Sequence, residues 1–170
     1  MPFAILLGLL FATSWKAVPG QGTSGIKPSF SIAISTAQTT VKSGSAVNLK
    51  IVLTNVAGKD LITYLDGASR GELDYTLHVV DENGKEPSET KYFRAVLNKD
   101  ASDPGETTTL VVLRDAGLRS IKPKGTETDT LDLNKLYDLR PGNCTLQVER
   151  EDDESKAVVK SNKITLTITQ

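Results

Sequence analysis

The chain contains one histidine and one cysteine, the residue types most often used for acid–base and nucleophilic chemistry. His78 alternates with Leu77 and Val79, and this period of two predicts a strand with the histidine on its outer face. A Ser-His-Asp triad could use such a side chain, whereas a zinc site would need further ligands that a single histidine does not supply. We interpret His78 as a surface residue.

Cys144 could act as a nucleophile if a neighbouring cation or base stabilised its thiolate. It alternates in phase with Leu146 and Val148, and this spacing directs the thiol towards the core. The favoured interpretation is a buried cysteine that packs as a small apolar residue. With one cysteine in the chain, no internal disulfide can form.

Two further patterns match known motifs. Gly20-Gln-Gly-Thr-Ser-Gly25 matches a phosphate-binding glycine motif, but that motif needs a strand before it and a helix after it, and Pro28 follows here. Asn143-Cys-Thr145 is a formal glycosylation sequon on which we expect no glycan. The sequence predicts no catalytic, cofactor-binding or metal-binding residue.

The acidic residues are candidate calcium ligands, because calcium takes six or more oxygen ligands. No Asp-x-Asp-x-Asp-Gly spacing occurs. Arg150 interrupts the longest acidic run, and Lys156 follows it closely. We interpret that run as a solvated hairpin loop. The acids concerned are Asp129, Asp132, Asp138 and Glu149–Glu154.

The N-terminal stretch differs from the rest, since Pro2 to Trp15 carries no charge and includes the apolar run Phe3–Ala12. This run is shorter than the ~20 residues of a membrane span and suits a signal peptide. We predict a signal over residues 1–20, cleaved before Gln21, and a flexible lead-in over 21–29. The expected location is exported, periplasmic or extracellular, with no membrane span after cleavage. A buried N-terminal strand and an uncleaved anchor are the alternatives.

The formal net charge is −1 and the pI is about 5.9. Charges alternate in sign along the chain, so neither a nucleic-acid footprint nor a basic face for anionic lipid is present. The partner class left open is a protein or a cell-surface component, and the composition predicts no cofactor.

Apolar and polar residues alternate with period two almost throughout 30–170. With turn signals every 8–12 residues, this predicts an all-β, immunoglobulin-like antiparallel sandwich of seven to nine strands. Asp81-Glu-Asn-Gly84 predicts a hairpin turn, followed by a return strand near Tyr92–Leu97. A further strand is expected at Thr107–Leu113, and one helical turn at Asn134–Tyr137. The segment Leu131–Arg150, with its Pro141-Gly142 turn, is the most informative for the fold.

Two segments carry a family resemblance. Val47-x-Leu-x-Ile-x-Leu-Thr-Asn55, then a loop and Asp74-Tyr-Thr-Leu-His-Val-Val-Asp-Glu-Asn-Gly-Lys-Glu86, resembles the bacterial intracellular proteinase inhibitor family, which implies an immunoglobulin-like sandwich. Pro141-Gly-Asn-Cys-Thr145 is similar to the entry of a late strand in bacterial immunoglobulin-like domains, with Cys144 where tyrosine is usual. With these segments taken together, the chain resembles exported bacterial immunoglobulin-like proteins.

These observations predict an exported, non-catalytic domain that acts by protein or surface binding, with contacts expected first in the loops 55–72 and 98–106. Protease inhibition, implied by the resemblance, is the alternative. A second alternative is an accessory module of an exported assembly or transport system.

Overall fold

The computed structural model describes residues 27–65, 72–97, 99 and 117–170. These residues form ten strands and two short helices. The strands are β1 (Phe30–Thr36), β2 (Thr40–Lys42), β3 (Asn48–Asn55), β4 (Leu61–Leu65), β5 (Thr76–Asp81), β6 (Gly117–Ile121), β7 (Thr126–Asp132), β8 (Gly142–Glu151), β9 (Val158–Lys160) and β10 (Ile164–Thr169); the helices are α1 (Lys91–Val96) and α2 (Leu133–Leu136).

The strands form two main sheets and a separate two-stranded pair. One sheet has the order β1-β3-β7, and the other has the order β2-β10-β8-β5 with β9 paired to β8. All pairings are antiparallel except β2 with β10, which is parallel. This order corresponds to strands A-B-E and A′-G-F-C of an immunoglobulin-like sandwich. The predicted all-β class is confirmed, with more strands than expected because short pieces such as β2 and β9 form separately.

The core lies between the two main sheets, where the inward side chains form one apolar cluster. β3 buries every second residue, and β8 does the same, which is the burial expected of strands with one wet face. Cys144 belongs to this cluster, so the prediction that its thiol points inward is confirmed. Fully buried members from the two sheets include Leu49, Ile51, Leu53, Leu131, Leu146, Val148 and Leu166.

The return strand predicted near Tyr92–Leu97 is wrong, because the segment forms helix α1. Thr90 caps the helix, and its hydroxyl accepts a hydrogen bond from the Phe93 amide at 3.1 Å. Phe93 is buried, and Val96 and Leu97 pack against the core, so the apolar residues follow the i, i+3, i+4 spacing of a helix face. In a helix of six residues, this spacing is too short to be distinguished in the sequence from the alternation of a strand.

The segment Leu131–Arg150 contains the helical turn and the Pro141-Gly142 turn that its sequence predicts. β7 ends at Asp132, α2 provides the predicted helical turn, and β8 begins at Gly142 after Pro141. The Asp132 side chain caps α2 by accepting from the Asn134 amide at 3.2 Å.

The predicted signal, most of the lead-in and the predicted strand Thr107–Leu113 lie outside the described residues. Neither helix among the described residues is long and apolar enough to cross a membrane.

Candidate functional site

The candidate site is the two-stranded pair β4–β6, here called the arm. Its five residue pairs run from Leu61 opposite Ile121 to Leu65 opposite Gly117. The arm continues the β3–β7 pair of the main sheet, because Asn55 still exchanges backbone hydrogen bonds with Lys124 and Gly125 beyond the end of that pair. Among the described residues, no third strand joins the arm.

Asn55 builds the corner at which the arm leaves the sheet. Its side chain is fully buried. The side-chain amide donates to the carbonyls of Lys59 at 2.9 Å and Ile121 at 2.7 Å, and its oxygen accepts from the Ala57 amide at 2.8 Å. A buried amide is stable when its hydrogen-bonding groups find partners in this way. Asn55 therefore fixes the direction of both arm strands.

Asp152 fixes a second set of segments at the base of the arm and is 1% exposed. Its carboxylate accepts from the Ser29 amide at 2.7 Å and hydroxyl at 2.8 Å, from the Ser155 hydroxyl at 2.7 Å and from the Glu154 amide at 3.1 Å. The Ser29 carbonyl in turn accepts from the amides of Val56 and Ala57. We call Ser29 and Asp152 the clasp, because they join the start of β1 to the β8–β9 turn and the arm corner.

The charge state of the clasp follows from its contacts. Burial opposes ionisation of Asp152, but the hydrogen bonds from Ser155, Ser29 and Glu154 outweigh it, so the pKa falls to about 2. Asp152 is therefore an ionised acceptor at neutral pH. The predicted solvated hairpin loop over Glu149–Glu154 is wrong at this residue, because a turn has formed around a buried carboxylate.

The two faces of the arm differ in exposure. On the inner face Thr63 and Ile121 are buried, at 7% and 5% exposure. On the outer face Ile62 is 52% exposed and Leu118 is 65% exposed. Since successive side chains of a strand point to opposite faces, the register of the arm places these two apolar side chains on one side. The outer face of the arm thus presents two exposed apolar side chains, with the exposed Ser120 on the same face.

The charges around the arm are paired with one another. Lys122 contacts Asp60 at 2.6 Å, Lys59 contacts Glu154 at 2.5 Å, and Arg119 pairs with Glu127. Such exposed pairs add little stability. Because the charges of each pair offset one another, these pairs do not create an electrostatic field of one sign around the outer face of the arm.

His78 lies on the outer face of the β2-β10-β8-β5 sheet, as predicted, with 44% of its side chain exposed. Its Nε2 is 3.0 Å from Glu149 Oε1, and Lys160 Nζ is 3.0 Å from Glu149 Oε2. The hydrogen bonds from His78 and Lys160 lower the pKa of Glu149. The histidine is thus part of a cross-strand row of polar side chains with Glu149 and Lys160.

Cys144 is one of the residues that line a groove of about 240 Å³ between residues 81–88 and 138–144. Burial raises the pKa of its thiol, so the side chain is held in the unreactive form. Asn143, the sequon residue, is exposed at the same groove and accepts from the Thr167 hydroxyl at 2.8 Å. The two residues are neighbours in the fold, but neither has the environment of a nucleophile.

Asp129, one of the acids considered for calcium, instead accepts a hydrogen bond from the Tyr75 hydroxyl at 2.6 Å. Burial and this bond raise the pKa of Tyr75. The Arg150 guanidinium lies 5.6 Å from the Tyr75 ring centroid and 6.0 Å from that of Phe30. No group of three or more metal-ligating side chains is found in the part of the chain that the structure describes.

Sequence reasoning overlooked one pattern and one contact. Gly67-Ala-Ser-Arg-Gly71 matches the Gly-x-Ser-x-Gly nucleophile elbow, which requires a helix directly after it. The motif falls outside the described residues, and the chain after it, from Glu72 to Asp81, forms turns and then β5. The clasp was missed because no local pattern links residues 123 positions apart.

No family model matches the chain, and no curated protein is similar to it. Among solved structures, it is similar to an alkylpurine DNA glycosylase, AlkC, of Pseudomonas fluorescens, bound to DNA containing an abasic site analog. The identity is 11% and the TM-score 0.42, over 84% of this chain and 31% of that one. The chain thus spans about a third of that glycosylase, and so slight a likeness carries no argument about function.

Proposed function

We propose that the chain is an exported, non-catalytic immunoglobulin-like domain that binds a protein or cell-surface component through the outer face of the arm. The observation that carries this proposal is the exposure of Ile62 and Leu118 on a two-stranded extension of the sandwich. Exposed apolar side chains grouped on one face are a feature of interaction surfaces.

The rigidity of the arm base supports the proposal. Asn55 and the clasp hold the arm corner with hydrogen bonds to β1, β6 and the β8–β9 turn. A preorganised surface binds with a smaller loss of conformational entropy than a loose one. One strand of the arm, β4, lies within residues 55–72, where the sequence predicted binding, whereas β6 lies outside both predicted loops.

The environment of Cys144 favours binding over catalysis, because burial raises the pKa of its thiol and keeps it protonated. Export is proposed from the uncharged, apolar N-terminal stretch alone. A hydrolase screen tests the non-catalytic part: activity that is abolished by His78→Ala or Ser69→Ala would overturn it.

The arm is tested by immobilising the full chain, an Ile62→Asp/Leu118→Asp variant and a Val158→Asp control, and comparing what each retains from the secreted and surface proteins of the source cell. Val158 is 54% exposed on β9, so the control changes a matched apolar residue elsewhere. We expect a protein that wild type and control retain and the arm variant loses, since a hot-spot residue at the centre of an interface contributes about 2 kcal/mol or more and a buried carboxylate would oppose binding. Equal retention by all three would show that the arm is not the contact.

A further inference from the structure

The turn after β5 contains a chemically labile pair, Asn83 and Gly84. Asn83 is the only asparagine in the chain that is followed by glycine. Both residues are exposed, and Gly84 has a φ of 76°, the left-handed conformation that glycine adopts without steric cost. Asn83 lines the same groove as Cys144.

We propose that Asn83 is a site of spontaneous covalent modification, at which the side-chain amide becomes a carboxylate. The Gly84 amide nitrogen loses its proton to solvent and attacks Cγ of Asn83. A new C–N bond forms, the bond from Cγ to Nδ2 breaks, and ammonia leaves. Water then opens the resulting five-membered imide at either carbonyl, which gives aspartate or isoaspartate. The steps consume one water molecule, release one ammonia, and involve no oxidation or reduction.

The position in the fold favours this reaction at Asn83. Gly84 has no Cβ to obstruct the approach of its nitrogen to the amide carbon. Two hydrogen bonds oppose the reaction: Gly84 N donates to the Asp81 carbonyl at 3.0 Å, and Asn83 N donates to Asp81 Oδ1 at 2.8 Å. Both lie in an exposed turn at the end of a strand, where local opening requires far less free energy than global unfolding.

The modification changes the groove in two ways. It adds a negative charge beside Asp81, Glu82 and Glu86, which already line the groove. The isoaspartate product also lengthens the backbone by one carbon, so the two bonds to Asp81 cannot both be kept. The groove rim therefore loosens and becomes more acidic as the protein ages.

The test is to incubate the full chain in mildly alkaline buffer at physiological temperature and follow two tryptic peptides by mass spectrometry. Peptide 71–85 contains Asn83, and peptide 136–150 contains Asn143 as its only asparagine. Asn143 is also exposed at the groove but precedes Cys144, whose Cβ obstructs the attack. We expect first-order loss of unmodified 71–85, with isoaspartate among the products, while 136–150 stays unmodified.

An Asn83→Gln variant separates this chemistry from other damage, since its longer side chain does not form the five-membered ring. We expect peptide 71–85 of that variant to stay intact over the same period. The proposal is overturned if wild-type 71–85 stays intact in the folded protein, or if 136–150 converts at the same rate.

Discussion

Asp81 and Asp152 each organise a turn at opposite ends of β8, yet they do so over very different distances in the chain. The Asp81 carboxylate accepts from the amides of Asn83 and Lys85, within its own turn. The Asp152 carboxylate accepts within its turn as well, but also from Ser29, 123 residues away. The first turn is a local structure, whereas the second joins distant parts of the fold.

The difference follows from burial. Asp81 is partly exposed, so water can replace its hydrogen bonds, while Asp152 is sealed from solvent. A buried charge is stable only when its hydrogen-bonding capacity is filled. The Asp152 end is therefore the one at which a single substitution should disrupt tertiary structure, and the Asp81 end is the one that can vary.

The largest expected effect is that of Asp152→Ala. It leaves the Ser29 amide and both serine hydroxyls without their acceptor, and unsatisfied buried donors of this kind should lower the free energy of unfolding by about 3 kcal/mol. Asp81→Ala, the matched change, should cost clearly less. Urea denaturation of the two variants decides the comparison, and equal losses would show that the clasp contributes nothing beyond a local turn.

Acid should weaken the clasp, because protonation of Asp152 removes the charge that accepts its hydrogen bonds. The pKa of Asp152 is lowered to about 2 in the folded protein, against about 3.9 in an unfolded chain. A depressed folded pKa gives stability that is fully present above the unfolded value and is lost as pH falls towards the folded one. Between about pH 4 and pH 2 the loss should reach about 2 kcal/mol.

Asp152→Asn provides the control for this pH dependence, because it removes the titrating group. The difference in unfolding free energy between wild type and variant should shrink as pH falls through this window. A difference that stays constant would show that another carboxylate, such as Asp81, whose pKa the Lys85 and Asn83 amides also lower, accounts for the acid sensitivity.

At the Asp81 end, Cys144→Ser should lower stability by about 1–2 kcal/mol, since it places a hydroxyl among apolar neighbours. Cys144→Ala removes the sulfur without adding a polar group and serves as the control. The arm lies elsewhere, so any partner binding should be unchanged. The thiol should label slowly until the protein unfolds, and rapid labelling of the folded chain would contradict its buried position.

Local patterns predicted the part of the fold that local chemistry determines. Alternation identified the core faces of β3, β8 and β10, and the Asp-x-Asn-Gly sequence identified the turn at Asp81, because turn type follows from the residues within it. The single helical turn near Asn134 was predicted as well. Each of these features depends on residues a few positions apart.

The features that sequence did not predict depend on tertiary contacts. Asp152 belongs to an acidic run that is typical of a solvated loop, and only the approach of Ser29 makes its burial favourable. Asn55 is similar, since its partner Ile121 lies 66 residues away. Strand β4 of the arm lies in the loop 55–72 at which the sequence predicted binding, but its partner β6 lies outside both predicted loops. The candidate site was thus half predicted.

The smallest expected effects on stability come from the residues with positive φ in the two turns. Lys156, in the Asp152 turn, has a φ of 57°, while Gly84 has 76° in the Asp81 turn. A left-handed residue with a Cβ costs about 1 kcal/mol, which glycine avoids at the expense of a more flexible unfolded chain. Lys156→Gly should therefore raise stability by about 0.5 kcal/mol, and Gly84→Ala should lower it by about 1 kcal/mol.

Thermal unfolding of these two variants should shift the midpoint in opposite directions. The Lys156 amide donates to the Asp152 carbonyl at 2.7 Å, and glycine keeps this bond. The substitution also removes the exposed ion pair of Lys156 with Glu151 at 3.7 Å, which adds little stability. Lys156→Ala is the control: it removes the charge and the long side chain but keeps the Cβ, and it should leave the midpoint nearly unchanged. If Lys156→Ala matched Lys156→Gly, the gain would come from the side chain, and the strain assigned to the Asp152 turn would be wrong.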